Sequence, residues 1–349
     1  MTEPEKPKRR PRYLGKNPRL FHEKYKELQP DRYPDELAKI LAGGRTPVGM
    51  HRPIMMREIL DVLAPKPGDV VLDCTLGFGG HARELLMAVQ PGGKLLGIDA
   101  DPIELPKTEA RLQSLGFPPD AVIVKRMNFA GIAGFLAEYA PEGVDVLLAD
   151  LGLSSMQIDD PTRGFTYKGD GPLDMRMNPS GGKSATDLLS TIDASGLARI
   201  FTENADEPLA PQLAVAIVKA HRANPITTTR ELAEVVQFAF DVHSKSRVET
   251  IDTTLRRVFQ ALRIAVNDEF RSLETLLRNL PACLKPGGRV AILSFHSGED
   301  RRVKSAFKEG LQNGLYSHVS TEVIRVSGEE KHDNSRSSSA KLRFAVRSS

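Results

Sequence analysis

The sequence predicts an α/β fold, with a Rossmann-like, mostly parallel sheet interrupted by an inserted helical domain. Short apolar strands alternate with helical stretches between Val70 and Ala149. After Asp150 the alternation stops, and roughly one hundred residues show helical periodicity without clear strands. It resumes at Pro286-Gly287-Gly288, so the helical part interrupts one domain instead of following it. Parallel strands require crossover connections, which helices provide with a right-handed sense.

Each element follows from local pattern. Apolar spacing from 53 to 63 predicts a short helix, which Pro65, Pro67 and Gly68 end. Val70-Val71-Leu72 reads as a buried strand, Gly77-Phe78-Gly79-Gly80 as a tight turn, and His81 to Gln90 as a helix stopped by Pro91-Gly92-Gly93. The next strand, Leu95 to Ile98, ends at Asp99, and a helix covers 103–115. Ala121–Val124 and Val144–Ala149 are two further strands. Residues 157–183, rich in Gly, Pro, Asp and Lys, read as a long ordered loop. Residues 186–241 show helical periodicity, with Leu188, Leu189, Ile192, Leu197, Ile200 and Phe201, then Leu213, Ile217 and Val218, then Leu232, Val235, Val236 and Phe238, and one longer helix is expected from Leu255 to Leu280. A strand from Arg289 to Phe295 follows, and Leu342, Phe344 and Val346 alternate with basic residues as in a strand. The expected organisation is a basic, flexible extension over 1–48, an α/β domain over 49–160 and 255–349, and a helical insertion over 161–254.

Composition excludes several classes. With 349 residues, 40% hydrophobic and 27% charged, the chain can bury a large core without disulfides or metals. Two distant cysteines, Cys74 and Cys283, exclude a disulfide framework and suit a reducing compartment. The eight histidines are dispersed and no Cys/His spacing fits a metal site, so no metal is expected. No apolar run approaches a membrane span, and none follows the N-terminus as in a signal peptide, which leads to the expectation of a cytoplasmic protein without membrane contact. The net charge of +3 conceals a division. Residues 1–26 carry nine basic side chains against three acidic ones, and four prolines that oppose a helix, which reads as an arm for nucleic-acid phosphate or as a solvated terminus. A second basic, serine-rich run extends from Ser335 to Arg347.

The turn after the first strand contains Gly77, Gly79 and Ala82 in G-x-G-x-x-A spacing, and Asp99 closes the second strand. Glycines let backbone approach a ligand closely, and a carboxylate at that strand end can accept bonds from both ribose hydroxyls. This suits any adenosine cofactor. Asp73, immediately before the glycines, would repel a pyrophosphate but attract an ammonium, and Asp150 adds a carboxylate at the same sheet edge. Three aspartates therefore favour the cationic S-adenosylmethionine over NAD.

These residues lie within longer runs that resemble the bacterial MraW/RsmH-type enzymes, which methylate N4 of a cytosine in the decoding centre of 16S ribosomal RNA. The runs include Asp73-Cys74-Thr75-Leu76-Gly77-Phe78-Gly79-Gly80-His81, Gly97-Ile98-Asp99-Ala100-Asp101-Pro102 and Asp150-Leu151-Gly152-Leu153-Ser154-Ser155-Met156-Gln157. Arg163-Gly164-Phe165-Thr166-Tyr167, Gly171-Pro172-Leu173-Asp174-Met175-Arg176-Met177, Phe259-Gln260-Ala261-Leu262-Arg263-Ile264 and Ser294-Phe295-His296-Ser297-Gly298-Glu299-Asp300-Arg301 follow in order. The resemblance implies an S-adenosylmethionine-dependent methyltransferase sheet, with cofactor contacts at Gly79, Gly80, His81, Asp99, Phe129, Asp150 and Gln157, and the small ribosomal subunit as partner. The chain departs from the family at Glu203–Pro208, Asp252–Val258, Gly298 and Asn334–Ser339, and its basic extension is longer.

An exocyclic cytosine amine is a weak nucleophile, so its protons need acceptors as charge develops, and its nitrogen must be held in line with the methyl group. Asp150, Ser154 and Ser155 are the expected catalytic residues, and Asp174, Arg176, His296, Glu299 and Arg301 the expected contacts to the base and flanking phosphates. A splayed or flipped base is implied. The competing readings are methylation of another RNA nucleotide by the same fold, an NAD-dependent oxidoreductase, and a non-catalytic ribosome-binding relative.

Overall fold

The computed structural model describes residues 53–244, 250–333 and 335–349, so the expected basic extension over 1–48 lies outside the described residues. The chain enters through α1 (Met56–Leu63) and then alternates β1 (Val70–Asp73), α2 (Gly80–Ala88), β2 (Lys94–Asp99), α3 (Leu105–Gln113), β3 (Val122–Arg126), α4 (Ile132–Tyr139) and β4 (Val144–Asp150). A short α5 (Ser155–Asp159) follows, and then four helices, α6 (Ala185–Thr191), α7 (Ala194–Ala205), α8 (Ala210–Ala223) and α9 (Thr229–His243). The sequence continues with α10 (Ile251–Asn267), α11 (Glu269–Cys283), β5 (Leu284–Ser294), α12 (Ser297–Gln312), β6 (Tyr316–Val319), β7 (Ile324–Arg325), α13 (Gly328–Asp333) and β8 (Lys341–Arg347).

The strands form one sheet in the order β3-β2-β1-β4-β5-β8-β6, with β7 paired to β8. β1 to β5 run parallel, and β8 is antiparallel to β5, β6 and β7. Side-chain alternation sorts two cores onto the two faces. Leu72, Ile98, Leu147 and Ile292 pack with Ile132, Phe135, Leu276, Leu280 and Phe307 from α4, α11 and α12. Val71, Leu95, Leu148 and Leu293 pack with Ile59, Leu85, Leu86 and Leu112 from α1, α2 and α3. The chain runs outward from β1 to β2 and β3 on one side and returns to β4 on the other, so the β1/β4 junction is the switch point at which ligands of such sheets bind, at the carboxyl strand ends. Among the described residues, no helix is long and apolar enough to cross a membrane.

The structure departs from the expected elements in three places. The single helix expected from Leu255 to Leu280 is two helices, because Asp268 takes a left-handed φ of 50° and breaks the ladder. Asp tolerates that region better than most residues. The break also frees the Asn267 side chain, whose amide donates to the Met175 carbonyl (2.8 Å) and accepts from Met177 N–H (2.7 Å). Second, β5 begins at Leu284 and runs through Pro286-Gly287-Gly288, with a register irregularity against Val144–Val146 absorbing the turn residues. Third, the loop over 157–183 contains α5 and a 3-10 turn, Pro161–Arg163, and Pro172 bridges to Thr228. Phe165, Leu173 and Met175 from this loop join the core of the helical part. So do Val258, Phe259 and Leu262 of α10, and the expected boundary at 254/255 therefore falls inside a helix that shares the insertion's core.

Candidate active site

The carboxyl ends of β1, β2 and β4 bring Asp73, Asp99 and Asp150 to one edge. Asp73 is buried, and its Oδ1 accepts from Thr75 N–H at 3.0 Å. The Thr75 hydroxyl accepts from Asp150 N–H at 2.6 Å, which ties the ends of β1 and β4 together. Asp99 holds the glycine turn in place: Oδ2 accepts from Gly77 N–H at 2.7 Å, and Oδ1 from Asp101 N–H at 2.8 Å. Gly79 caps α2 at a φ of 77°, and a Cβ there would lie 2.8 Å from the Thr108 methyl. Only glycine meets both demands, which lets the turn pack closely against α3.

His81 sits on the first turn of α2, with Nε2 2.9 Å from the Ile54 carbonyl and Nδ1 3.6 Å from Asp150 Oδ2. Burial lowers its pKa, against the Ile54 bond and nearby acids, so the ring is neutral. A neutral ring that donates Nε2–H to Ile54 turns an unprotonated Nδ1 toward Asp150. Asp150 Oδ1 is buried, and among the described residues it has no hydrogen-bond partner. Burial, with the negative charge of Glu299, pushes the Asp150 carboxyl up to about 7, and burial pushes Asp73 up to about 6. Asp99 is raised by the same desolvation, opposed by its backbone bonds.

The other expected cofactor residues are close by in the fold. Phe129 opens a 3-10 turn after β3 and is partly buried against the sheet core. Gln157 donates from Nε2 to Asp101 Oδ2 (2.7 Å) and closes a capping box with Ser154, whose hydroxyl accepts from Gln157 N–H at 3.2 Å. Ser154 is thus occupied as a helix cap beside Asp150. Ser155 starts α5, and its side chain lies outside the described set.

The expected substrate residues fall into three groups. Asp174 and Arg176 form a two-point pair (2.9 and 2.7 Å) on the loop before α6. His296 and Glu299 cap α12 at the end of β5, next to Asp150. Glu299 is buried; its Oε2 accepts from Phe295 N–H (2.8 Å), and its Oε1 lies 3.1 Å from His296 Nε2. Burial alone would raise the Glu299 pKa, but His296, Phe295 N–H and Arg263 hold it below its ordinary value. Arg301 lies farther out, in an exposed pair with Asp206 at the end of α7 (3.0 Å). In the basic C-terminal run, Lys341 and Arg343 are both turned onto Asp300, at 3.7 and 2.6 Å, so these two cations are committed inside the fold.

Two residues at the centre of the arrangement escaped sequence reasoning as site residues. Asp101 and Arg163 form a buried pair at 2.9 Å, although both lie within the family-like runs. A cavity of about 400 Å³ opens beside them, with Ala100 and Asn128 on the sheet side and Arg176, Asn178 and Asn267 on the loop side. Among the described residues, no group of three or more His, Cys, Asp or Glu could hold a metal ion.

The sheet order, the glycine turn and the three acids at the switch point define a Rossmann-like methyltransferase fold with an inserted helical part. The chain belongs to the MraW methylase family, whose model matches residues 49–348. It is 48% identical over 350 residues to ribosomal RNA small subunit methyltransferase H 1 of Lachnoclostridium phytofermentans, covering 99% of this chain and 95% of that one. It is 47% identical over 345 residues to ribosomal RNA small subunit methyltransferase H 2 of Alkaliphilus metalliredigens, covering 98% of each. With ribosomal RNA small subunit methyltransferase H 1 of Agathobacter rectalis it shares 46% identity over 99% of each chain.

Proposed function

We propose that the protein transfers a methyl group from S-adenosylmethionine to the exocyclic N4 amine of a cytosine in the decoding centre of 16S ribosomal RNA, acting on the small ribosomal subunit in the cytoplasm. The observation that carries this reading is Asp150: a carboxylate at the switch point with one buried oxygen that has no partner and a pKa pushed to about 7. An acidic edge with an unsatisfied carboxylate and an open glycine turn fits a ligand bearing sulfonium and ammonium charges. The same edge does not suit a pyrophosphate, which disfavours an NAD-dependent reaction.

The cofactor supplies a methyl group activated by positive sulfur. Asp99 would hold the ribose hydroxyls, the Gly79–His81 backbone would face the methionine end, Phe129 would pack near the adenine, and Gln157 would complete the site from its bond to Asp101. Asp150 Oδ1 would accept a hydrogen bond from the N4 amine and so localise its lone pair as positive charge develops on nitrogen. An acceptor with a pKa of about 7 can then take the proton lost from nitrogen. Ser154 fixes the turn that follows Asp150 as the cap of α5. Asp174, Arg176 and His296 border the route of the splayed base, Glu299 fixes His296, and Arg301 is placed for flanking phosphate.

The test is transfer from labelled cofactor to small subunits lacking the modification, read by mass spectrometry of the digested 16S RNA. N4-methylcytidine is the expected product; methyl transfer to a different nucleoside, or none, overturns the reading.

The acids also set a pH dependence. Both are raised above the ordinary carboxylate value, so their burial favours the protonated fold and weighs against stability as pH rises through about 6 and about 7. A cationic ligand reverses this by favouring the ionised forms. Cofactor affinity should therefore rise by roughly tenfold between about pH 5.5 and 7.5, with protons released on binding. Calorimetry in two buffers of different ionisation enthalpy measures that release, and a zero value contradicts the placement of cations at these acids.

A further inference from the structure

We infer that Arg163 is a positioning residue that couples cofactor binding to RNA binding, an inference that rests on the methyl-transfer reading above. Its guanidinium spans two segments that the fold otherwise keeps separate. Nη1 donates to Asp101 Oδ2 at 2.9 Å, and Nη2 donates to the carbonyls of Arg176 and Met177 at 3.2 and 2.9 Å. Asp101 belongs to the turn that carries Asp99, because its N–H is held by Asp99 Oδ1 at 2.8 Å. Arg176 and Met177 belong to the loop that carries the Asp174–Arg176 pair and one wall of the 400 Å³ cavity. Arg163 is 9% exposed and Asp101 3%, so the link operates in a desolvated setting in which lost bonds are not replaced by water.

The loop on the far side is held in one conformation. Met175 is fully buried at a left-handed φ of 63°, its N–H donates to the Arg163 carbonyl at 3.1 Å, and Asn267 clamps Met175 and Met177 from α10. A non-glycine residue stays in that region only where its surroundings over-determine it. Movement of the Asp99–Asp101 turn is therefore passed to the Arg176 and Met177 carbonyls through the planar fork of Arg163, and not through a soft loop. Asp99 already holds Gly77 N–H and Asp101 N–H, so ribose hydroxyls that compete for its oxygens would act on the turn that Arg163 grips. Coupling between two sites is reciprocal, so RNA on the loop tightens cofactor binding by the same factor.

The experiment compares Kd for S-adenosylhomocysteine, by calorimetry on the full chain, alone and with saturating unmethylated small subunits. Wild type should bind about tenfold tighter with subunits present, and Arg163→Met should reduce that ratio below about twofold, whatever its effect on the Kd measured without subunits. Arg163→Lys keeps the charge but cannot bridge the carboxylate and both carbonyls, so its ratio should fall to about threefold or less. It serves also if Arg163→Met does not fold. A wild-type ratio in either folded variant, or a ratio of one in wild type that turns over normally, overturns the proposal. Wild type that binds subunits but transfers no methyl group counts against the function reading instead.

Discussion

Asp150→Asn should lower single-turnover methyl transfer on small subunits by about 10²–10³-fold while raising the melting temperature. The two opposite signs have one cause. The Asp150 carboxylate has an oxygen without a partner and sits against Glu299, so at neutral pH and above it is held at a cost that the fold does not recover. The amide preserves the shape, removes the charge and should stabilise the folded state by about 1–3 kcal/mol at pH 8, the direction required for an acid raised to about 7. The same change removes the acceptor on which the amine depends. Saturating cofactor and subunit isolate the chemical step, and thermal unfolding gives the stability. Full activity, or a fall in melting temperature, would show that Asp150 is not the acceptor for the reacting amine.

Gly164→Ala should destabilise the protein by about 2–4 kcal/mol and raise KM for the subunit before it affects the cofactor. Gly164 has a φ of 74°, and a Cβ there would enter the Pro172 carbonyl oxygen and lie 2.8 Å from Asp174 N. Both neighbours are backbone of the loop that carries Asp174 and Arg176, so relief requires that loop to move away from Arg163. Chemical denaturation measures the stability loss, and steady-state kinetics separates the two substrates. An unchanged midpoint would mean that the Pro172 turn yields more easily than its bonds suggest.

The parallel half of the sheet was legible because β1, β2 and β4 are short apolar runs ending in Asp73, Asp99 and Asp150, whereas the short β6 and β7 carry no such pattern and were not expected. The glycine turn was legible by local contrast. The break at Asp268 was not, because apolar spacing continues across it and one left-handed residue redirects a helix without changing that spacing; the Asn267-Asp268 pair was the available signal. Asp101 and Arg163 were also missed as site residues. Their partnership joins positions 62 residues apart, and neither residue type has a distinctive local pattern. The commitment of Lys341 and Arg343 to Asp300 was hidden likewise, since alternation predicts a strand but not which acid its basic side chains meet.

The packing of α10 into the core of the helical part has a practical consequence for anyone wishing to trim the enzyme. The insertion is not a removable cassette. Excising 161–254 would leave Val258, Phe259 and Leu262 bare, and would take away Arg163 together with the Met175 and Met177 partners of Asn267. A minimal enzyme designed from this chain would have to retain the helices or redesign α10 throughout, because that helix is both a wall of the helical core and the clamp on Met175 and Met177.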